Sequence, residues 1–130
     1  MTDDYPAVLR EYIGTALWSS LCNNESCEYL DEKYDIDDFD KETLKKMEKE
    51  LNEFIEKFFF LVEEPDRDTT VGAFATDFWF TRNGHGAGFW DGDYKNGDQL
   101  TEACEKYGAQ DLYVGDDGKI YALKMPRQYK

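Results

Sequence analysis

The sequence predicts an α+β fold in which two N-terminal helices pack on a mainly antiparallel sheet of two hairpins, with a short helix between the hairpins. Three observations carry this. Apolar residues recur at helical spacing as far as Glu64, the period turns to alternation beyond Thr70, and two tight-turn dipeptides, Asn83-Gly84 and Asp117-Gly118, each lie between apolar runs. A length of 130 residues suits one domain spanning 1–130.

Residues 5–22 read as the first helix, because Leu9, Ile13, Leu17 and Leu21 fall every four positions beside Tyr12, Ala16 and Ser20. Pro6 suits its first turn, Asp3 and Asp4 suit the positive end of its dipole, and Asn23-Asn24 is a stop. The stretch Glu25 to Asp40 spaces Tyr29, Tyr34 and Phe39 without a sustained period, which predicts a loop pinned by its aromatics with room for one helical turn. Asp40 then caps a second helix, Lys41 to Glu64. Leu44, Met47, Leu51, Phe54, Phe58 and Leu61 form its stripe, Ile55 and Val62 widen it, and Glu42/Lys46 and Glu53/Lys57 are correctly oriented i,i+4 pairs. A stripe this wide suits a sheet better than a coiled-coil seam. Pro65 ends the helix.

Val71 to Thr81 is rich in β-branched and aromatic residues, Asn83-Gly84 is a type I′ turn signal, and Ala87 to Asp91 returns. A two-residue turn sets Phe78 opposite Phe89, Phe80 opposite Ala87 and Trp79 opposite Gly88. Asp98 to Tyr107 reads as the short helix, capped by Asp98, faced by Leu100, Ala103, Cys104 and Tyr107, and stopped at Gly108. The second hairpin runs from Leu112 to Asp116, turns at Asp117-Gly118 and returns from Lys119 to Leu123. Its expected pairs are Asp116 with Lys119, Val114 with Tyr121 and Leu112 with Leu123.

Charge is the strongest global signal, with 29 acidic and 15 basic residues for a net of −14. Residues 1–64 hold 18 acids and 7 bases, net −11, whereas 65–130 hold 11 acids and 8 bases, net −3. Between Glu25 and Asp40 there are eight acids and one base. Such a field repels nucleic acid and attracts basic proteins, including those that themselves bind nucleic acid. Carboxylates spaced on a rigid frame can imitate duplex phosphates, with Asp31, Asp35, Asp37 and Asp38 supplying charge and Tyr29, Tyr34 and Phe39 supplying anchors. The competing reading is a solvated, solubilising face.

The longest apolar run, Phe58 to Val62, is far short of the roughly 20 residues a bilayer requires. The acidic N-terminus does not resemble a secretory signal, so the cytoplasm is expected, Asn24-Glu25-Ser26 is a chance glycosylation match, and Cys22, Cys27 and Cys104 are expected as thiols. One histidine and no close cysteine pair leave structural zinc without ligands, and no cofactor is indicated.

The stretch TRNGHGAGFWD at 81–91 is the best catalytic candidate. In the two-residue turn register Arg82 opposes His85, with Asp91 further back on the same face, which would give an anion binder and an acid-base group at a hairpin tip. A hydrolase also needs a nucleophile or a metal, and Thr81 would point to the other face. The simpler reading makes this a turn, its glycines giving room to Trp79 and Trp90. Residues 91–102 imitate a calcium loop, but Lys95 stands at position 5 and Gly97 comes one place late. The carboxylates at 116 and 117 are what a tight hairpin uses.

DFWFTRNGHGAGFWD at 77–91, GDQLTEACEKYG at 97–108 and LYVGDDGKIY at 112–121 resemble a family of small proteins encoded in bacteriophage genomes. ALWSS at 16–20 and YDIDDFDKETL at 34–44 are similar too, so the resemblance spans roughly 8–121. Cys22, Cys27 and Phe80 depart from the family pattern. The resemblance implies a phage origin and expression in a host bacterium, and it transfers no catalytic residue. The functional expectation is a phage accessory protein that binds a basic host or phage protein. A small hydrolase or nuclease-like enzyme built on 77–91 and a phage structural or packaging part are the alternatives.

Overall fold

Four helices and one two-stranded antiparallel sheet form the fold in a computed structural model that describes residues 5–62, 71–84, 89 and 96–125. The α+β class stands. The first helix, α1 (Ala7–Trp18), has Pro6 at its N-cap and buries Leu9, Tyr12, Ile13, Ala16 and Leu17. It stops short of the expected residue 22 because Ser19 turns back on it. Both the amide and Oγ of Ser19 donate to Thr15 O, at 3.1 and 2.8 Å, and Ser20 N tightens onto Leu17 O. Leu21, expected in the core, is therefore 64% exposed and bridges antiparallel to Tyr29.

That bridge closes a clasp. Leu30 N donates to Ser20 O at 3.0 Å, Cys22 N donates to Glu28 O at 2.8 Å, and Cys22 and Cys27 are joined as a disulfide with Cα atoms 5.7 Å apart. This corrects the expectation of thiols, which rested on compartment and took no account of a chain reversal that brings the two residues together. Cys104 is free and buried. The acidic segment then makes two single turns of 3-10 helix, Leu30–Glu32 and Ile36–Asp38, where one helical turn was expected.

The second helix, α2 (Lys41–Phe58), starts where expected: Asp40 Oδ2 accepts from both the amide and the hydroxyl of Thr43, at 3.0 Å each. Its buried stripe is Leu44, Met47, Leu51 and Phe54, and a further 3-10 turn, Phe59–Leu61, follows.

The expected first hairpin is not formed. Residues Val71–Arg82 are a helix, α3, which buries Phe74, Ala75, Phe78, Trp79, Thr81 and Arg82. Those positions satisfy i, i+4 and i+7 spacing as well as they satisfy β composition, and tertiary burial overrides the weak helix propensity of aromatic and β-branched residues. With apolar residues around most of its girth, α3 carries no amphipathic signature, although only one side of it is buried and Val71 and Ala73 are exposed. Asn83-Gly84 ends it: Asn83 N donates to Trp79 O, Gly84 N donates to Thr81 O, and Gly84 takes φ +72°. The cross-strand partners inferred for Phe78, Trp79 and Phe80 are thereby withdrawn. Phe89 is still in the core, where its amide donates to Thr81 Oγ1 at 2.9 Å and its ring packs on Phe74 and Phe54.

The stripe of α2 accordingly packs on a helix, α3, as well as on the strand Ile120–Met125, where a sheet alone was expected. Phe54 stacks on Phe78 with centroids 4.0 Å apart and planes 8° from parallel, and Phe74 lies 5.3 Å away. The short helix, α4 (Gly97–Glu105), buries Leu100, Ala103 and Cys104 as expected. Asn96 occupies the N-cap position, and Asp98, expected there, sits exposed in the first turn.

Strands β1 (Ala109–Val114) and β2 (Ile120–Met125) form the one hairpin among the described residues, slipped by one residue from the expected register. Tyr113 faces Tyr121, Val114 faces Ile120 and Leu112 faces Ala122. The loop has three residues, Asp116 to Gly118, because Gly115 N pairs with Lys119 O and Gly118 takes φ +82°. The slip sends Leu112 and Ile120 to the core and leaves Tyr113 stacked on Tyr121 at 5.7 Å on the other face. Beside the hairpin, Phe39 bridges to Ile120 and Asp40 N donates to Ile120 O, which ties the acidic segment to the sheet.

Candidate functional site

Arg82 comes from the last turn of α3, and its side chain runs into the core. Its Nε donates to Gly108 O at 2.8 Å, Nη2 to Tyr107 O at 3.0 Å, and Nη1 to both Tyr12 OH at 3.2 Å and Glu50 Oε1 at 2.7 Å. The guanidinium also lies 5.1 Å from the Phe78 ring centroid. Burial works against its charge, Tyr12 and Glu50 more than offset that, and the pKa is raised overall. Burial pushes the Tyr12 phenol up to about 12, so this group gives Arg82 a neutral acceptor and Glu50 provides the counter-charge.

The two carbonyls belong to the end of α4, where Gly108 at φ +75° leads into β1. Arg82 therefore locks α1, α2, α3 and the α4–β1 junction together. A side chain 1% exposed and committed to four partners cannot receive a substrate anion, so Arg82 is withdrawn from the catalytic candidates. The turn register that opposed it to His85 does not exist; His85 and Asp91 lie outside the described residues. Asn83 completes the junction, its Oδ1 accepting from Gln110 N at 2.8 Å and its Nδ2 donating to Trp79 O.

The acidic segment divides by role. Glu32 accepts from the amides of Glu28 and Tyr29, Asp35 Oδ1 accepts from Asp37 N, and Asp38 Oδ2 accepts from Asp35 N at 2.8 Å. These carboxylates cap the 3-10 turns, which pins the backbone while leaving the charges near water. Among the expected partner residues, Tyr29, Asp31, Asp35 and Asp37 are exposed and Asp38 is half-buried. Tyr34 is half-buried against the core, and Phe39, only 4% exposed, belongs to the core and cannot anchor a partner. The alternating acids and aromatics in sequence do not reveal which rings turn inward.

The residues that sequence reasoning missed lie at the clasp. Trp18 is 53% exposed at the end of α1, with its ring edge-on to the half-buried Phe80 at 5.7 Å. Leu21 and the exposed Tyr29 are joined across the bridge. A tryptophan off the apolar stripe of an amphipathic helix was the available signal.

Other features offer less chemistry. At the hairpin tip Asp117 accepts from Lys119 N and Tyr121 OH, which accounts for that carboxylate structurally. An open hollow of about 430 Å³ on α2 is lined by Lys45, Glu48, Lys49, Asn52, Glu53 and Glu56, whose charges alternate without converging. Among the described residues, no group of three or more His, Cys, Asp or Glu could hold a metal ion, and no helix is long and apolar enough to cross a membrane. No family model matches the chain, and neither a curated protein nor a solved structure does.

Proposed function

We propose that this chain is a phage accessory protein that acts in the host cytoplasm by binding a basic host or phage protein through its acidic N-terminal half. The observation that carries the reading is the uneven charge, net −11 in residues 1–64, with Asp31, Asp35 and Asp37 exposed on a backbone fixed by its own caps. A pre-fixed carboxylate array loses little entropy on association and suits a groove built for phosphates. The partner class that follows is a nucleic-acid-binding or defence protein, inhibited by occupation of its basic site; nucleic acid itself and anionic membranes are repelled.

The test is recovery of the partner from infected cells by the wild-type chain and by the triple variant Asp35→Lys, Asp37→Lys, Asp38→Lys. Reversal should slow association several-fold, and the wild-type rate should fall steeply with salt, since steering is screened beyond about 8 Å at physiological ionic strength. Duplex DNA should compete with the chain for the recovered partner. Unchanged recovery by the triple variant would overturn the reading.

A further inference from the structure

We infer that the partner is seated on an apolar patch made by Trp18, Leu21, Tyr29 and Phe80 at the Cys22–Cys27 clasp, and that it presents a basic amphipathic segment there. The inference rests on the protein-binding reading and moves its anchors away from Tyr34 and Phe39.

The patch follows from the early end of α1. Because Ser19 and Ser20 close the helix, Leu21 leaves the buried stripe and comes to stand across from Tyr29, 64% exposed. Trp18 is 53% exposed three residues earlier, its ring braced on Phe80. Single exposed apolar residues are ordinary, but here a bridge joins Leu21 to Tyr29, and Trp18, three residues before Leu21, is joined to Phe80 of α3 by a ring contact.

The stretch is also rigid. A reducing cytoplasm would open the disulfide, but the other ties do not depend on it: the two bridge hydrogen bonds remain, and Asn24 Oδ1 accepts from Ser26 N at 2.9 Å and Ser26 Oγ at 2.6 Å. Asn23 ties the clasp to β1, its Oδ1 accepting from Val114 N at 2.8 Å and its Nδ2 donating to Val114 O at 3.3 Å. A surface held this way has little ordering cost on binding, and tryptophan and tyrosine are the side chains most often found at the centre of such interfaces.

Charge selects the occupant. Residues 21–32 contain four carboxylates and no base; Glu28 and Glu32 are exposed beside Tyr29, and Glu25 is exposed in the same segment. A second copy of the chain would bring net −14 against net −14, and an anionic membrane would be repelled as well. A segment with apolar side chains on one face and lysine or arginine flanking them matches both the patch and its rim. The exposed tryptophan adds an aromatic surface for those cations.

The probe is a synthetic lysine–leucine peptide whose leucines fall on one helical face, titrated into the full-length chain and followed by NMR. A peptide of the same composition, scrambled to spread the leucines over all faces, isolates charge from pattern. The amphipathic peptide should perturb the Trp18 indole and the amides of Leu21 and Tyr29, and the scrambled one should bind at least about tenfold more weakly. Leu21→Ser should weaken the amphipathic peptide about tenfold with the melting temperature unchanged, and Trp18→Ala should repeat the loss. Equal binding of the two peptides, perturbations centred on Asp35 to Asp38, or unchanged affinity in Leu21→Ser would each overturn the inference. If Asp35→Lys, Asp37→Lys, Asp38→Lys weakens binding while Leu21→Ser does not, the patch fails and the acidic-surface reading survives; if neither weakens it, both fail. A dimer in sedimentation that Leu21→Ser dissolves would make a second copy the occupant and likewise overturn it.

Discussion

Asn83-Gly84 and Asp117-Gly118 carry the same turn signal, yet the first stops a helix and the second reverses a hairpin. Both glycines sit in the left-handed region, Gly84 at φ +72° and Gly118 at φ +82°, so the dipeptide itself behaves alike in both places. The difference lies in what precedes it. Leu112 to Val114 alternates buried, exposed and half-buried side chains and forms a strand, whereas Phe74 to Arg82 is buried at Phe74, Ala75, Phe78, Trp79, Thr81 and Arg82, two adjacent rows of a helix. A glycine turn therefore specifies a positive φ and leaves open which element it terminates. The anchors differ as well: the helix end is held by a buried guanidinium, and the hairpin tip by exposed Asp117 and half-buried Tyr121.

Breaking the helix end should have the largest effect. Arg82→Met strips Glu50, Tyr12 and two carbonyls of their donor at once. Removing one partner of a buried ion pair typically costs about 3–5 kcal/mol. The lower end is expected here, because Glu50 keeps 21% of its side chain in water. Chemical denaturation should register the loss as a lower midpoint at unchanged slope, and a midpoint shift no larger than that of a surface variant would remove Arg82 from its structural role.

The same network predicts behaviour in alkali. Tyr12 has a folded pKa raised to about 12 from 10.0, chiefly by burial, so the stability tied to its neutral form is complete below pH 10 and lost as pH rises through about 12. That loss amounts to about 2–3 kcal/mol. Tyrosinate absorbance in Tyr12→Phe should lack one late-titrating group relative to wild type; identical titration curves would contradict the buried placement.

Next in size, Gly84→Ala and Gly118→Ala should cost alike, about 1–2 kcal/mol each, because both force an L residue into left-handed backbone. Among the described residues an added Cβ meets nothing within 4 Å at either site, so conformational strain is the expected cost. Markedly unequal losses would break the parallel between the two turns.

The smallest effect belongs to the hairpin tip. The Tyr121 hydroxyl, followed by the Lys119 amide, holds the Asp117 carboxyl below its ordinary value, so this contribution is present above the unfolded carboxylate pKa and is lost as pH falls through the folded one. Tyr121→Phe should raise the Asp117 pKa measured by NMR while the melting temperature barely moves. A pKa unchanged by that substitution would show that the hydroxyl is not its partner.

By itself the sequence determined α2 from its cap at Asp40 through Phe54, the burial of Leu100, Ala103 and Cys104 on α4, the existence of the second hairpin, and the charge asymmetry, because each depends on local spacing or on simple counting. The acidic segment was legible as charge and only half legible as surface, since Asp31 and Asp37 face water while Phe39 turns to Ile120. Only the tertiary structure decided that 71–82 is helical, that the hairpin slips by one residue, that Arg82 is a core residue, and that Trp18 and Leu21 stand outside. In each case local spacing leaves the outcome open. An element apolar on most of its girth has no period to read, a turn dipeptide does not state its loop length, and whether a guanidinium or an indole is buried depends on partners up to seventy residues distant, such as Tyr12 for Arg82.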